Sequence, residues 1–122
     1  MSKFIIRTVT SGMKFDLKAA NGETVATSEV YTTENACRNG IASVRKNAPE
    51  AGVEDQTGTV SKKTSCPKFE IYEDRSGQFR FRLRARNGQI IAISEGYSAK
   101  ASCLSGIESV RKNAVDGIVE FA

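Results

Sequence analysis

Arg80, Arg82, Arg84 and Arg86 alternate with Phe79, Phe81, Leu83 and Ala85 in the stretch Phe79-Arg-Phe-Arg-Leu-Arg-Ala-Arg86. A period of two is that of a β-strand, so four guanidinium groups would stand on one sheet face in a row about 20 Å long. Arginine pairs bidentately with phosphate and carboxylate, which makes the row a candidate site for an anionic partner, nucleic acid or an acidic protein. The run Phe69-Glu-Ile-Tyr-Glu73 would place Glu70 and Tyr72 on the same face. Glu70 can then neutralise part of the row, and Tyr72 is the one clear aromatic there, where single-strand binders usually present several. The plainer reading is a solvated face, with arginines that also guard a strand against edge pairing.

Catalytic chemistry finds little to work with. The chain has no histidine, which removes the commonest general base, the commonest metal ligand and every Ser-His or Cys-His pairing. Cys37 and Cys103 fall on predicted helices at matching positions and, with the odd Cys66, read as free, inert thiols rather than a disulfide framework. No glycine-rich phosphate loop or metal-spaced acidic cluster is present. Ser28-Glu-Val-Tyr31 and Ser94-Glu-Gly-Tyr97 recur just before each helix. They could hold a ligand, but the structural reading, Glu accepting from backbone N–H groups and Tyr packing its ring, is favoured. Arg45-Lys-Asn47 and Arg111-Lys-Asn113 read as helix C-terminal caps. The expectation is a non-enzyme without cofactor or metal.

The elements that position these residues come in two copies. Between Phe15 and Ala48, 18 of 34 positions are identical to those 66 residues later. Earlier in each copy the offset is 65, Lys3-Phe4 matching Lys68-Phe69, so the second copy has one extra residue in its first hairpin. Gly58 to Pro67, with turn formers and two lysines, reads as the linker, giving repeats at 1–61 and 62–122 that share one core. Residues 1–61 hold seven basic and seven acidic residues and 62–122 eleven and seven, so all of the net +4 lies in the second half. The strand matching the arginine row offers only Lys14, Asp16 and Lys18 as charged residues.

In the second copy Phe69–Glu73 and Phe79–Arg86 form a hairpin, Asn87-Gly88 reads as a two-residue type I′ turn, and Ile90–Ser94 is a third strand. Thr32 and Ser98 are the expected N-caps. Cys103, Ile107, Val110 and Ala114 trace one helix face, and Gly117–Phe121 reads as a fourth strand, with Gly52–Asp55 as its weaker counterpart. Gly40 and Gly106 inside the helices point to close approach of helix and sheet. The predicted architecture is α+β: two tandem β-β-β-α-β repeats with pseudo-two-fold symmetry, forming one mainly antiparallel sheet with two helices packed on one face.

The doubled Asn-Gly, Ser-Glu-x-Tyr and Gly-Ile-x-Ser-Val-Arg-Lys-Asn-Ala pieces resemble the YegP-like family of small bacterial and archaeal tandem-repeat proteins. The resemblance implies one sheet built by both repeats, with exchange of their last strands allowed, and a family without an established activity or catalytic residues. Arg7-Thr-Val-Thr-Ser-Gly12 departs from that family's more acidic first turn. The functional expectation is a binding or interaction module using the basic face, Arg80 to Arg86 with Tyr72. Nucleic-acid binding and a structural or assembly role are the alternatives. Without a secretory or membrane-spanning segment the expected residence is cytoplasmic, and the two helices and full sheet point to a monomer.

Overall fold

Apolar side chains at every second position build the longer strands: in β1 (Lys3–Val9) Phe4 and Ile6 are buried, and in β2 (Gly12–Lys18) Phe15 and Leu17. The short β3 (Thr24–Thr27), whose register on β2 shifts, buries the adjacent Val25 and Ala26. The second copy repeats this in β5 (Lys68–Glu73), β6 (Phe79–Arg84) and β7 (Ile90–Ile93), where Phe69 and Ile71, Phe81 and Leu83, and the adjacent Ile91 and Ala92 are buried. The helices α1 (Glu34–Asn47) and α2 (Lys100–Asp116) bury matching stripes, Cys37, Gly40, Ile41 and Val44 against Cys103, Gly106, Ile107 and Val110. The chain is seen here as a computed structural model that describes residues 1–58 and 63–122. The boundary read at 61 and 62, and the middle of the segment read as the linker, lie outside the described residues.

The last strand of each copy leaves its own repeat. β4 (Gly52–Asp55) pairs in parallel with β5, and β8 (Ile118–Phe121) pairs in parallel with β1. The result is one eight-stranded mixed sheet in the order β4-β5-β6-β7-β3-β2-β1-β8. The two hairpin sheets meet antiparallel at β3 and β7 through Thr27 and Ile93. Both helices cover one face, and each also touches strands of the other copy, α1 on β7 and α2 on β2 and β3. The predicted α+β architecture is thus what the chain adopts, with the terminal strands exchanged.

Several local details differ from the sequence reading. Both helices start one residue later than expected: Thr33 Oγ1, not Thr32, accepts the Ala36 N–H at 3.1 Å. The matching N-cap is Ala99, which offers no oxygen. Arg45 and Arg111 are not merely dipole-complementing caps. Each guanidinium donates to a carbonyl at the entry of the other copy's last strand, Arg45 to Gly117 and Arg111 to Ala51. Each also lies over a core ring, 5.2 Å from Phe4 and 5.4 Å from Phe69. Asn47 and Asn113 are not in left-handed backbone, a region that among the described residues only glycines occupy; their amides donate to Ser43 and Ser109 one turn back. β6 lies between β5 and β7, so its arginines guard no edge.

The repeated Ser-Glu-x-Tyr junctions are structural, though not through the glutamates. Ser28 Oγ accepts from the Phe15 N–H at 2.9 Å and donates to the Glu29 carbonyl, and Ser94 does the same with Phe81 and Glu95. Tyr31 stacks on Phe15 at 6.3 Å and Tyr97 on Phe81 at 6.4 Å, while the carboxylates of Glu29 and Glu95 are exposed. A Cβ on Gly40 or Gly106 would collide with the hydroxyl of Tyr31 or Tyr97. Those glycines therefore make room for a tyrosine. Gly40→Ala, which would ordinarily strengthen a helix by up to about 1 kcal/mol, should instead destabilise the protein by about 1–3 kcal/mol through overpacking. Adding Tyr31→Phe should recover part of that loss. Urea unfolding of the two single variants and the double variant checks this, and additive losses would show that the tyrosine hydroxyl is not the obstacle.

Candidate functional site

The sheet face opposite the helices carries the residues singled out by charge. Cross-strand register lays one row over all eight strands: Glu54, Glu70, Arg82, Ile93, Thr27, Asp16, Ile5 and Glu120. Beside it, Tyr72 opposes Arg80 and Lys68 opposes Arg84. Arg80, Arg82 and Arg84 therefore share this face with Tyr72. Arg86 does not continue the row. The turn spans Ala85 to Gly88, closed by the Gly88 N–H on the Ala85 carbonyl, with Arg86 and Asn87 at its centre. Gly88 alone takes positive φ (88°), so the turn is not type I′, which needs two such residues. Arg86 is consequently a turn residue. Its backbone N–H reaches Asn47 Oδ1 on α1, and its guanidinium makes a well-exposed pair with Glu50.

Carboxylates hold the remaining arginines, buried Glu70 two of them and half-buried Asp74 the third. One oxygen of Glu70, Oε1, accepts from Arg82 Nε at 2.6 Å and from Arg84 Nε at 2.7 Å, while Oε2 accepts from Gln56. Glu70 is only 4% exposed. Burial alone would raise its carboxyl pKa, but the hydrogen bonds and charges of Arg82 and Arg84 outweigh that and hold it below the ordinary value. Arg80 Nε donates to Asp74 Oδ2 at 2.7 Å, and Asp74 also accepts from Ser76 and Gln78 across its turn. The Arg82 guanidinium sits 4.6 Å from the centre of the Tyr72 ring, so one face of the expected stacking platform is already covered.

Glu54, which the sequence reading passed over, is the other anchor of this cluster. It lies on exchanged strand β4, 3% exposed, and accepts from Gln56, from Lys68 Nζ at 2.9 Å and from the Thr64 N–H at 2.7 Å. The donors hold its pKa near about 2, led by Gln56 and then Lys68. Its burial could not be foreseen before the exchange put β4 against β5. The first copy shows a simpler version, Arg7 and Thr27 both donating to Asp16. Among the described residues Lys14 and Lys18 pair with no carboxylate.

Cys37 and Cys103 are buried and free, and burial raises both thiols, Cys103 to about 11. No group of three His, Cys, Asp or Glu able to hold a metal occurs among the described residues. No described helix is long and apolar enough to cross a membrane.

Because Glu54 titrates lower folded than unfolded, its ionised form stabilises the fold above its ordinary pKa, and that contribution is lost as pH falls toward about 2. Thermal unfolding should therefore show stability declining from about pH 5 to pH 2. Glu54→Gln should be less stable at neutral pH and decline less steeply. An unchanged slope would show that Glu54 is not the linked group.

Residues 12–55 and 74–120 match the family model described as "Domain of unknown function (DUF1508)". The UPF0339 protein of Treponema denticola is 67% identical over 52 residues, covering 43% of this chain and 90% of that protein, so it holds a single copy of the unit. UPF0339 protein YegP of Escherichia coli K12 is 40% identical over 107 residues, covering 88% of this chain and 84% of its own. The solution NMR structure of E. coli YegP, a protein of unknown function, superposes with a TM-score of 0.81 at 34% identity, covering 98% of this chain and 91% of that one. Matched across both repeats in sequence and in fold, the chain belongs to the UPF0339/YegP family, whose function is not established.

Proposed function

We propose that the protein is a non-enzymatic interaction module that takes an anionic partner, an acidic protein segment, on the open sheet face. The observation that carries this reading is where the two copies agree and where they differ. Pseudo-two-fold symmetry places the same folding demands on both. Core positions answer them identically: Phe4 and Phe69, Phe15 and Phe81, Ile41 and Ile107, Val44 and Val110 are all buried. On the open face four matched positions diverge, Ile5 against Glu70, Arg7 against Tyr72, Asp16 against Arg82 and Thr27 against Ile93, whereas Lys3 and Lys68, Glu54 and Glu120, and the basic pairs Lys14 with Arg80 and Lys18 with Arg84 are kept. At those four pairs the shared fold does not fix the residue.

Its charge is lopsided as well. On the strands Lys3, Arg7, Lys14, Lys18, Lys68, Arg80, Arg82 and Arg84 stand against Asp16, Glu54, Glu70 and Glu120, with Asp74 of the adjoining turn bound to Arg80. The Nε bonds of Arg82 and Arg84 to Glu70 restrain their guanidinium groups, so less side-chain entropy remains to be lost on binding. The cover of Arg82 over Tyr72 favours an acidic polypeptide over stacked bases.

Fluorescence anisotropy with a labelled oligoglutamate peptide and with single- and double-stranded oligonucleotides tests the reading. The peptide should bind at low ionic strength and weaken steeply with salt. Lys14→Ser/Lys18→Ser, which touches no buried carboxylate, should weaken it several-fold, and Arg82→Ser/Arg84→Ser more, with circular dichroism confirming that the latter is folded. Preferential binding of oligonucleotides would put the nucleic-acid reading in its place. Binding of neither, or equal binding by every variant, would refute a functional face.

A further inference from the structure

Between the two copies lies a cleft of about 410 Å³, lined by Glu29, Val30 and Tyr31 of the first junction and by Arg84, Gln89 and Ile90 of the second copy. Its volume falls within the range of small-molecule sites. Glu29 and Arg84 line it as opposite charges without pairing: among the described residues Glu29 forms no salt bridge, and Arg84 is engaged through Nε with Glu70 and through Nη1 with the Gly88 carbonyl. Its Nη2 has no partner there. Val30 is 46% exposed although it is apolar and sits inside a junction that Ser28 and Tyr31 already secure.

The two-fold-related positions sharpen the point. Where this cleft has Val30, Gln89 and Ile90, the other copy has Gly96, Glu23 and Thr24. The carboxylate and the cation recur there as Glu95 and Lys18, but the apolar surface is missing and a second carboxylate is added. A cleft lined by one carboxylate, one guanidinium with a free Nη2 and apolar side chains is complementary to a small molecule with an ammonium, a carboxylate and an apolar body.

We infer that this cleft binds a zwitterionic small ligand of the α-amino-acid class with an apolar side chain. The ammonium pairs with Glu29, the carboxylate with the free edge of Arg84, and the side chain lies on Val30 and Ile90. The Glu29 carboxylate of the repeated junction, which the fold leaves exposed, thereby acquires a ligand. The inference goes beyond the acidic-partner reading, and its decisive residue, Glu29, is not part of that surface.

The test is titration of the ¹⁵N-labelled full chain with leucine, with its deaminated analogue isocaproate and with its decarboxylated analogue isoamylamine. Leucine should shift the amide signals of Glu29, Val30, Gly88 and Gln89 saturably and leave those of Glu95 to Tyr97 in place. Each analogue should bind at least about tenfold more weakly, and so should leucine to Glu29→Gln, a variant that breaks no bond of the fold. Arg84→Gln should weaken leucine and isocaproate but not isoamylamine, with its thermal unfolding confirming a folded chain. Absence of a saturable shift overturns the inference. So does isocaproate binding as tightly as leucine, which would leave a plain anion site, or a Glu29→Gln variant that binds leucine unchanged. None of these outcomes depends on whether acidic peptides bind.

Discussion

Parallel pairing of each copy's last strand with the first strand of the other copy is the constraint on which the molecule depends. β4 extends the sheet beyond β5 and β8 extends it beyond β1, so neither repeat completes its own edge. Arg45 and Arg111 tie each helix to the strand that arrives from the opposite copy, one polar anchor at Gly117 and one at Ala51. With guanidinium groups stacked on Phe4 and Phe69, these two arginines join helix, core ring and exchanged strand at one point in each half. A unit of about 60 residues would bury too little surface to be robust alone. Exchange turns two marginal cores into one.

The same constraint shapes the open face. By bringing Glu54 beside Glu70, the exchange would place two carboxylates together, and Lys68, Arg82, Arg84 and Gln56 are the groups that compensate them. The arginines that looked like a free cationic row are therefore partly counter-ions of buried acids. What charge they offer a partner is the excess left after that compensation, supplemented by Lys14 and Lys18. In the first copy, where Ile5 replaces Glu70, no such cluster is needed, and Arg7 with Thr27 satisfies Asp16. The two halves thus share a core and differ in surface chemistry.

The sequence spoke most clearly where physics repeats itself. Strand alternation around Phe15 and Phe81, the helix stripe of Cys103, Ile107 and Val110, and the extra residue of the second copy's first hairpin were all legible, because each is local and occurs twice. Arg86 was misplaced because alternation cannot tell a last strand residue from the first turn residue; Gly88, not Asn87, takes the left-handed backbone. Arg45, Arg111 and Glu54 were misjudged or missed for another reason. Their partners lie 72, 60 and 14 residues away in sequence, in elements brought together only by the exchange. Tyr31 against Gly40 was within reach, since both recur at a fixed spacing, but the signal names a contact only once the helix is docked.

If exchange makes the two copies one cooperative unit, damage to one core must be felt in the other. The direct measurement is residue-resolved amide hydrogen exchange of the Ile107→Ala variant, which opens a cavity under α2 alone. The account predicts that the most protected amides of both copies, in β1 and β2 as much as in β5 and β6, lose the same opening free energy. Loss of protection confined to β5, β6, β7 and α2, with β1 and β2 unchanged, would contradict it and show two independently folding halves.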